Sequence, residues 1–133
     1  MKDKQQVLIV DDDDMIGQLM AQIVQLHGHE ARTVRRPEDA LAALRETAPF
    51  ALVVSDVRMP VMDGPTMIAT AAALRAPLRV LFVSGHSLDA LRRQHIDGVV
   101  HACLEKPFSL NGFGEQVDAL LQHAPPASRS ATA

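Results

Sequence analysis

The sequence predicts an α/β fold, a doubly wound (βα)5 domain whose five-stranded parallel sheet is covered by helices on both faces. Four short runs are predominantly apolar rather than alternating, which is typical of strands buried on both sides; they span residues 7–10, 51–54, 80–83 and 99–104. Helical patterns lie between these runs, and strands that alternate with helices form parallel sheets. A length of 133 residues with 47% hydrophobic content suits one domain with its own core.

The fifth strand has a different pattern. Residues Glu30 to Val34 alternate between polar and apolar side chains, so we expect an edge strand there. The domain should occupy residues 6–123, after a lead-in of residues 1–5. The segment 124–133, rich in proline, alanine and serine, is predicted to be a disordered tail.

The first three helices have clear signals. The first helix carries one apolar stripe at helical spacing, formed by Ile16, Leu19, Met20, Ile23 and Val24. The second should begin at Pro37, with Glu38 and Asp39 in its first turn. The turn Asp63-Gly64-Pro65 starts the third, whose apolar residues are Met67, Ile68, Ala71 and Leu74.

The last two helices have weaker signals. The fourth, Leu88 to His95, is short and poorly patterned. The fifth has an apolar stripe formed by Leu110, Phe113, Val117, Leu120 and Leu121. Gly112 and Gly114 each cost its first turns about 1 kcal/mol relative to alanine.

Charge and composition exclude several classes of function. The net charge is −3 and Lys and Arg form no long run, so direct nucleic-acid binding is not expected. No apolar run is long enough for a membrane span or a signal peptide. The single cysteine, Cys103, excludes an internal disulfide. We therefore expect a cytoplasmic protein with no membrane partner.

Polar residues stand where the predicted strands end. Asp11 and Asp12 follow the first run, Asp56 the third, Ser84 the fourth and Lys106 the fifth. In doubly wound sheets, ligands bind at this carboxyl edge. Grouped carboxylates repel one another unless a cation neutralises them, and Mg²⁺ prefers such oxygen ligands. A carboxylate nucleophile can then attack phosphorus, with Lys106 and Ser84 holding the phosphoryl oxygens. Asp13 and Asp14 are interpreted as the start of the first helix.

These motifs resemble the response-regulator receiver domain of two-component signalling. The resemblance covers about residues 6 to 122. It rests on four segments in order, each at a strand end: residues 7–12, residues 56–64, Ser84-Gly85 and Lys106-Pro107-Phe108. It implies the flavodoxin-like strand order 2-1-3-4-5.

The resemblance assigns a role to each site residue. It makes Asp56 the phosphoacceptor, with Ser84 and Lys106 contacting the phosphoryl group. It makes Asp12 a direct Mg²⁺ ligand beside Asp56, with Asp11 acting partly through water and Arg58 offering its backbone carbonyl. It also implies a cis peptide bond between Lys106 and Pro107.

The resemblance also implies the partners. A histidine kinase or a histidine phosphotransfer domain would donate the phosphoryl group, and the domain would act on no separate substrate. A downstream protein would bind the face formed by the fourth and fifth strands and the fourth and fifth helices, about Val83 to Gln122. The chain is either a stand-alone receiver or part of a longer protein, and residues 78–86 and 104–110 resemble receivers fused to hybrid sensor kinases.

Three residues are predicted to modulate this activity. Arg58 and His86 stand two residues after Asp56 and Ser84, where the resemblance places side chains that set the phosphoryl lifetime. Cys103 stands three residues before Lys106, where related domains usually have Tyr or Phe. We interpret Cys103 as a packed strand residue, with a redox sensor as the alternative.

Two other functions remain open. One is a receiver-like module that binds proteins without phosphorylation, which the missing aromatic residue favours. The other is a small Mg²⁺-dependent phosphohydrolase of the haloacid dehalogenase type. Its nucleophile would be Asp11, although Met15 stands where that class needs a hydroxyl.

Overall fold

The computed structural model describes residues 4–46 and 50–122 and confirms the α/β fold. Five parallel strands form one sheet in the order β2-β1-β3-β4-β5. The strands are β1 (Gln6–Val10), β2 (Glu30–Val34), β3 (Leu52–Asp56), β4 (Leu78–Ser84) and β5 (Val99–Glu105). The helices are α1 (Asp14–Leu26), α2 (Pro37–Arg45), α3 (Gly64–Arg75), α4 (Asp89–Arg93) and α5 (Leu110–Gln122). The predicted tail, 124–133, lies outside the described residues.

The helices form one layer on each face of the sheet. Strand residues alternate between the layers, as the two-residue repeat of a strand requires. In β1, Leu8 and Val10 pack toward α2, α3 and α4, whereas Val7 and Ile9 pack toward α1 and α5. All four are fully buried, which explains why this run is apolar throughout.

Local signals set the starts of three helices as predicted. The Asp13 side chain caps α1 by accepting hydrogen bonds from the backbone N–H groups of Met15 and Ile16. Pro37 opens α2, and Asp63 caps α3 by accepting from the N–H of Thr66. Asp13 is therefore a helix cap, as the interpretation of the acidic run expected.

The predicted apolar stripes are too wide in three helices. The prediction that Leu19 is buried is wrong, since 41% of it is exposed. Leu74 and Leu110, placed in the stripes of α3 and α5, are 61% and 55% exposed. Each lies at the solvent side of its helix, and the buried stripes are completed by small residues such as Ala21 and Ala72.

The α4–β5 region departs most from prediction. Helix α4 has five residues rather than the eight from Leu88 to His95. The run 99–104 was expected to be covered on both faces, but each of its residues is only partly buried. The reason is that β5 forms the second edge of the sheet beside a very short helix. The Lys106–Pro107 bond is cis, as the resemblance implied, and so is Ala76–Pro77.

Candidate functional site

The sheet brings the predicted acidic residues together at its carboxyl edge. Asp56 is the last residue of β3, and Asp11 follows β1, its neighbour in the sheet. Carboxylate oxygens of Asp11, Asp12 and Asp56 all lie within 4.8 Å of one another. Asp11 and Asp56 are buried, whereas Asp12 is exposed. We call these three residues the acidic cluster.

Lys106 lies between two of these acids. Its Nζ is 3.1 Å from Oδ2 of Asp11 and 3.5 Å from Oδ2 of Asp56. Burial lowers the pKa of Lys106, but the charges and hydrogen bonds of Asp11 and Asp56 together outweigh burial and raise it. The ammonium group is therefore charged at neutral pH and can pair with an anion at this edge.

Asp56 is held in an environment that disfavours its charge. Burial raises the pKa of Asp56, Lys106 lowers it, and the nearby Asp11 and Asp12 raise it further. The net shift is upward, so a cation beside the cluster would stabilise the carboxylate form. Three carboxylates with hard oxygen donors, one of them open to solvent, fit Mg²⁺, which keeps part of its water shell.

The surrounding backbone fixes these side chains. The N–H of Asp13 donates to Oδ1 of Asp11 over 2.8 Å. Gly64 packs so closely on β3 that a Cβ there would overlap the carbonyl oxygen of Asp56 and lie 2.9 Å from Oγ of Ser55. The predicted Asp63-Gly64 turn thus combines a helix cap with a close approach that only glycine permits.

Ser84 ends β4 and is buried. Its Oγ accepts a hydrogen bond of 3.1 Å from the backbone N–H of His86 and keeps its own hydrogen for a second partner. Its carbonyl accepts from the N–H of Lys106 over 2.7 Å. The ends of β4 and β5 are therefore tied together next to the acidic cluster.

The three predicted modulators lie in different settings. Arg58 and His86 are exposed, each two residues beyond the end of a strand. Cys103 is half-buried on β5 and packs against the core on the α2–α3–α4 side. Burial raises the pKa of its thiol, although the charge of Arg92 opposes this. A raised pKa favours the packed-residue interpretation over a reactive thiolate.

One wall of the site was missed by the sequence analysis. A groove beside the acidic cluster runs between the start of α2 and the β3–α3 loop, lined among others by Asp12, Arg35, Arg36 and Val61. The signal was present, since Arg35 and Arg36 directly follow β2 at the sheet's carboxyl edge.

In the part of the chain that the structure describes, no helix is long and apolar enough to cross a membrane.

Comparisons with known proteins identify the family. The model for the response regulator receiver domain matches residues 7–118. The sensor kinase CckA of Brucella abortus is 32% identical over 117 residues, which cover 87% of this chain and 12% of the kinase. The C4-dicarboxylate transport transcriptional regulatory protein DctD of Rhizobium meliloti is 34% identical over 104 residues, covering 77% of this chain and 22% of the regulator.

A solved structure agrees with these matches. The CheY-like response regulator receiver domain protein of Methanospirillum hungatei JF-1 superposes with a TM-score of 0.78 at 27% identity, covering 90% of this chain and 94% of that one. The chain thus spans nearly all of a single receiver but only a small part of CckA or DctD. On this evidence, the chain belongs to the family of response regulator receiver domains of two-component systems.

Proposed function

We propose that this domain accepts a phosphoryl group on Asp56 from the phosphohistidine of a histidine kinase or a histidine phosphotransfer domain. The observation that carries the proposal is the acidic cluster with Lys106 between Asp11 and Asp56. Asp11, Asp12, Asp56 and the carbonyl of Arg58 would hold Mg²⁺. When bound, Mg²⁺ supplies positive charge that offsets the carboxylates and the phosphoryl oxygens.

In the proposed transfer, an Oδ atom of Asp56 forms a bond to phosphorus while the P–N bond of the donor breaks. The electron pair of that bond stays with the imidazole nitrogen, which takes a proton from solvent. Lys106 pairs with a phosphoryl oxygen, and Ser84 donates its free hydroxyl hydrogen to another. Water later attacks phosphorus, inorganic phosphate leaves, and the Asp56 carboxylate is regenerated. The domain thus acts on itself and needs no separate substrate.

Arg58 and His86 are proposed to set the rate of that hydrolysis. Both are exposed beside the ends of β3 and β4, where a side chain with polar nitrogen atoms can reach the phosphoryl group or the attacking water. Decay of the phosphorylated protein should therefore change in Arg58→Ala and His86→Ala. Unchanged decay in both variants would remove this role.

The proposed output is a conformational change read by a protein partner on the β4–α4–β5–α5 face, about Val83 to Gln122. We propose a cytoplasmic location, which suits the free thiol of Cys103. The names of its relatives suggest two settings for such a domain: CckA is a sensor kinase and DctD is a transcriptional regulatory protein. Either setting uses the same phosphoacceptor.

The proposal is tested by titrating the protein with Mg²⁺ and beryllofluoride, a phosphoryl mimic, while recording amide NMR spectra. We expect shifts around Asp56, Ser84 and Lys106 in the wild type and in Asp14→Asn, which removes an acid outside the cluster. Asp56→Asn should not respond. A wild type that gives no shifts, or an Asp56→Asn variant that gives the same shifts, would contradict the proposal.

A protein-binding module that works without phosphorylation is the second candidate. The half-buried thiol of Cys103, in place of the aromatic ring that the resemblance implies, favours it. This candidate predicts the silent wild type just described, together with partner binding that survives Asp56→Asn. The phosphohydrolase alternative loses its basis, since the family match is to receiver domains.

A further inference from the structure

His101 makes two contacts that join β5 to its neighbours. It lies in the middle of β5, two residues before Cys103 and therefore on the same face of the sheet. Its Nε2 is 2.9 Å from the carbonyl oxygen of Leu91 in α4. Because a carbonyl oxygen can only accept, Nε2 carries the hydrogen and donates it. The imidazole also meets the ring of Phe82 edge-on, with centroids 5.6 Å apart and planes at 74°.

Helix α4 needs such a contact. With five residues it is far too short to be stable alone. Its N-cap, Leu88, supplies no side-chain hydrogen bond, and Leu91 is its one buried residue. Arg92 reaches Glu105 on β5 at 3.9 Å, but both side chains are largely exposed and such pairs contribute little. The burial of Leu88 and Leu91 holds α4 on the core, and the hydrogen bond from His101 adds a directional contact to β5.

The same imidazole also contacts the strand that ends at the site. Phe82 is fully buried on β4, two residues before Ser84. Phe82 is the partner of Cys103 in the pairing of β4 with β5. Just beyond these strands, the N–H of Lys106 donates a hydrogen bond to the carbonyl of Ser84. A displacement of the β4 end would therefore press on a ring that is bonded to α4.

We propose that His101 is a positioning residue that ties α4 to the sheet and transmits movement of the Ser84 end of β4 to that helix. The tie itself is a property of the unphosphorylated domain, whereas its use in signalling rests on the proposed phosphorylation of Asp56. Since Cys103 has no ring, the side chain that connects β4 to α4 is His101, which lies two residues earlier on the same face.

The test compares amide hydrogen exchange of α4 with that of β3 in the wild type and three variants, all free of ligand. His101→Phe keeps a ring against Phe82 but removes the donor, and we expect exchange at α4 to rise about fivefold while β3 is unchanged. His101→Gln restores an N–H at similar reach and should recover part of the protection. His27→Phe removes an imidazole contact to Asp118 in the opposite helix layer and serves as the control.

Adding Mg²⁺ and beryllofluoride completes the test. In the wild type, exchange at α4 should change on binding; in His101→Phe that change should shrink, although the Asp56 region still responds. Exchange at α4 in free His101→Phe that equals the wild-type rate, or that rises no more than at β3, would overturn the proposal. Should His101→Phe fail to fold, His101→Leu makes the same comparison. A wild type that does not respond to beryllofluoride would overturn the proposed function, while the tie is decided by the ligand-free exchange rates.

Discussion

Asp56 is a residue of the site whose negative charge is unfavourable in the folded protein. Its carboxyl is buried beside Asp11 and Asp12, and among the residues that the structure describes Lys106 alone offsets the resulting cost of its charge. The pKa of Asp56 is raised above its ordinary value, mainly by burial. The folded protein therefore holds the proton more tightly than the unfolded chain, and the charged carboxylate opposes folding when no cation is bound.

This predicts a pH-dependent effect of Asp56→Asn. A carboxyl whose pKa is higher in the folded state than in the unfolded chain contributes to folding stability below its unfolded pKa. That contribution is lost as the pH rises through its folded pKa. Without divalent cations, Asp56→Asn should thus have a higher free energy of unfolding than wild type at pH 7, because Lys106 keeps its pairing with Asp11. The difference should shrink as the pH falls toward 3.8, the ordinary pKa of an aspartate side chain. Urea unfolding at several pH values measures it, with Asp14→Asn as control. A difference that is independent of pH would contradict this explanation.

Val61 is a second residue that costs stability, in this case through its backbone conformation. It is 99% exposed in the β3–α3 loop and has φ of 75°, a region that β-branched residues avoid. The N–H of Met62 donates to the carbonyl of Pro60 over 2.9 Å, so Val61 is the centre of a strained γ-turn.

Relief of this strain should stabilise the domain. Val61→Gly removes roughly 1–2 kcal/mol of left-handed strain and adds up to about 1 kcal/mol of unfolded-state entropy. We expect a net gain of about 0.5 kcal/mol in the free energy of unfolding. Val61→Ala keeps the strain and should leave stability nearly unchanged. A loss of stability in Val61→Gly would show that the turn costs less than its φ implies.

At the scale of helices and strands, local and tertiary signals differ in what they make predictable. Asp13, Pro37 and Asp63 act through their own backbone neighbourhood, so the starts of α1, α2 and α3 could be predicted from the sequence. The length of α4 and the partial exposure of β5 could not, because both depend on the edge position of β5. The contact between His101 and Leu91 was missed for the same reason.

Gly114 shows why a helix accepts an unfavourable residue. A Cβ at this position in α5 would overlap the ring of His27, whose Nδ1 lies 2.8 Å from Oδ2 of Asp118. The glycine thus makes room for a side-chain hydrogen bond between the end of α1 and α5. That contact explains the propensity cost noted from the sequence.

The two residues should be energetically coupled. In a His27→Ala background, Gly114→Ala should raise the free energy of unfolding by roughly 0.5–1 kcal/mol, because only helix propensity changes. In the wild-type background the new Cβ displaces His27 from Asp118, so the gain should be smaller or reversed. A double-mutant cycle by urea unfolding measures the coupling. Additive effects would mean that His27 moves away from Gly114 without cost.

At the scale of the whole molecule, strand order determines the site. The order β2-β1-β3-β4-β5 places the ends of β1 and β3 side by side, and this brings Asp11, Asp12 and Asp56 together from distant parts of the sequence. The residue types at the strand ends were sufficient to predict this cluster, since every parallel strand ends at the same edge. The groove lined by Arg35 and Val61 was predictable only in part. Arg35 directly follows β2 in the sequence, but the way two loops face each other across that edge does not follow from any local pattern.

The central claim is that Asp56 accepts a phosphoryl group, and intact mass tests it most directly. The protein is incubated with Mg²⁺ and acetyl phosphate, and wild type is compared with Asp56→Asn and Asp14→Asn. We predict one phosphoryl adduct on the wild type and on Asp14→Asn, and none on Asp56→Asn. An adduct that persists in Asp56→Asn, or a wild type that gains no mass and ignores beryllofluoride, would contradict the claim.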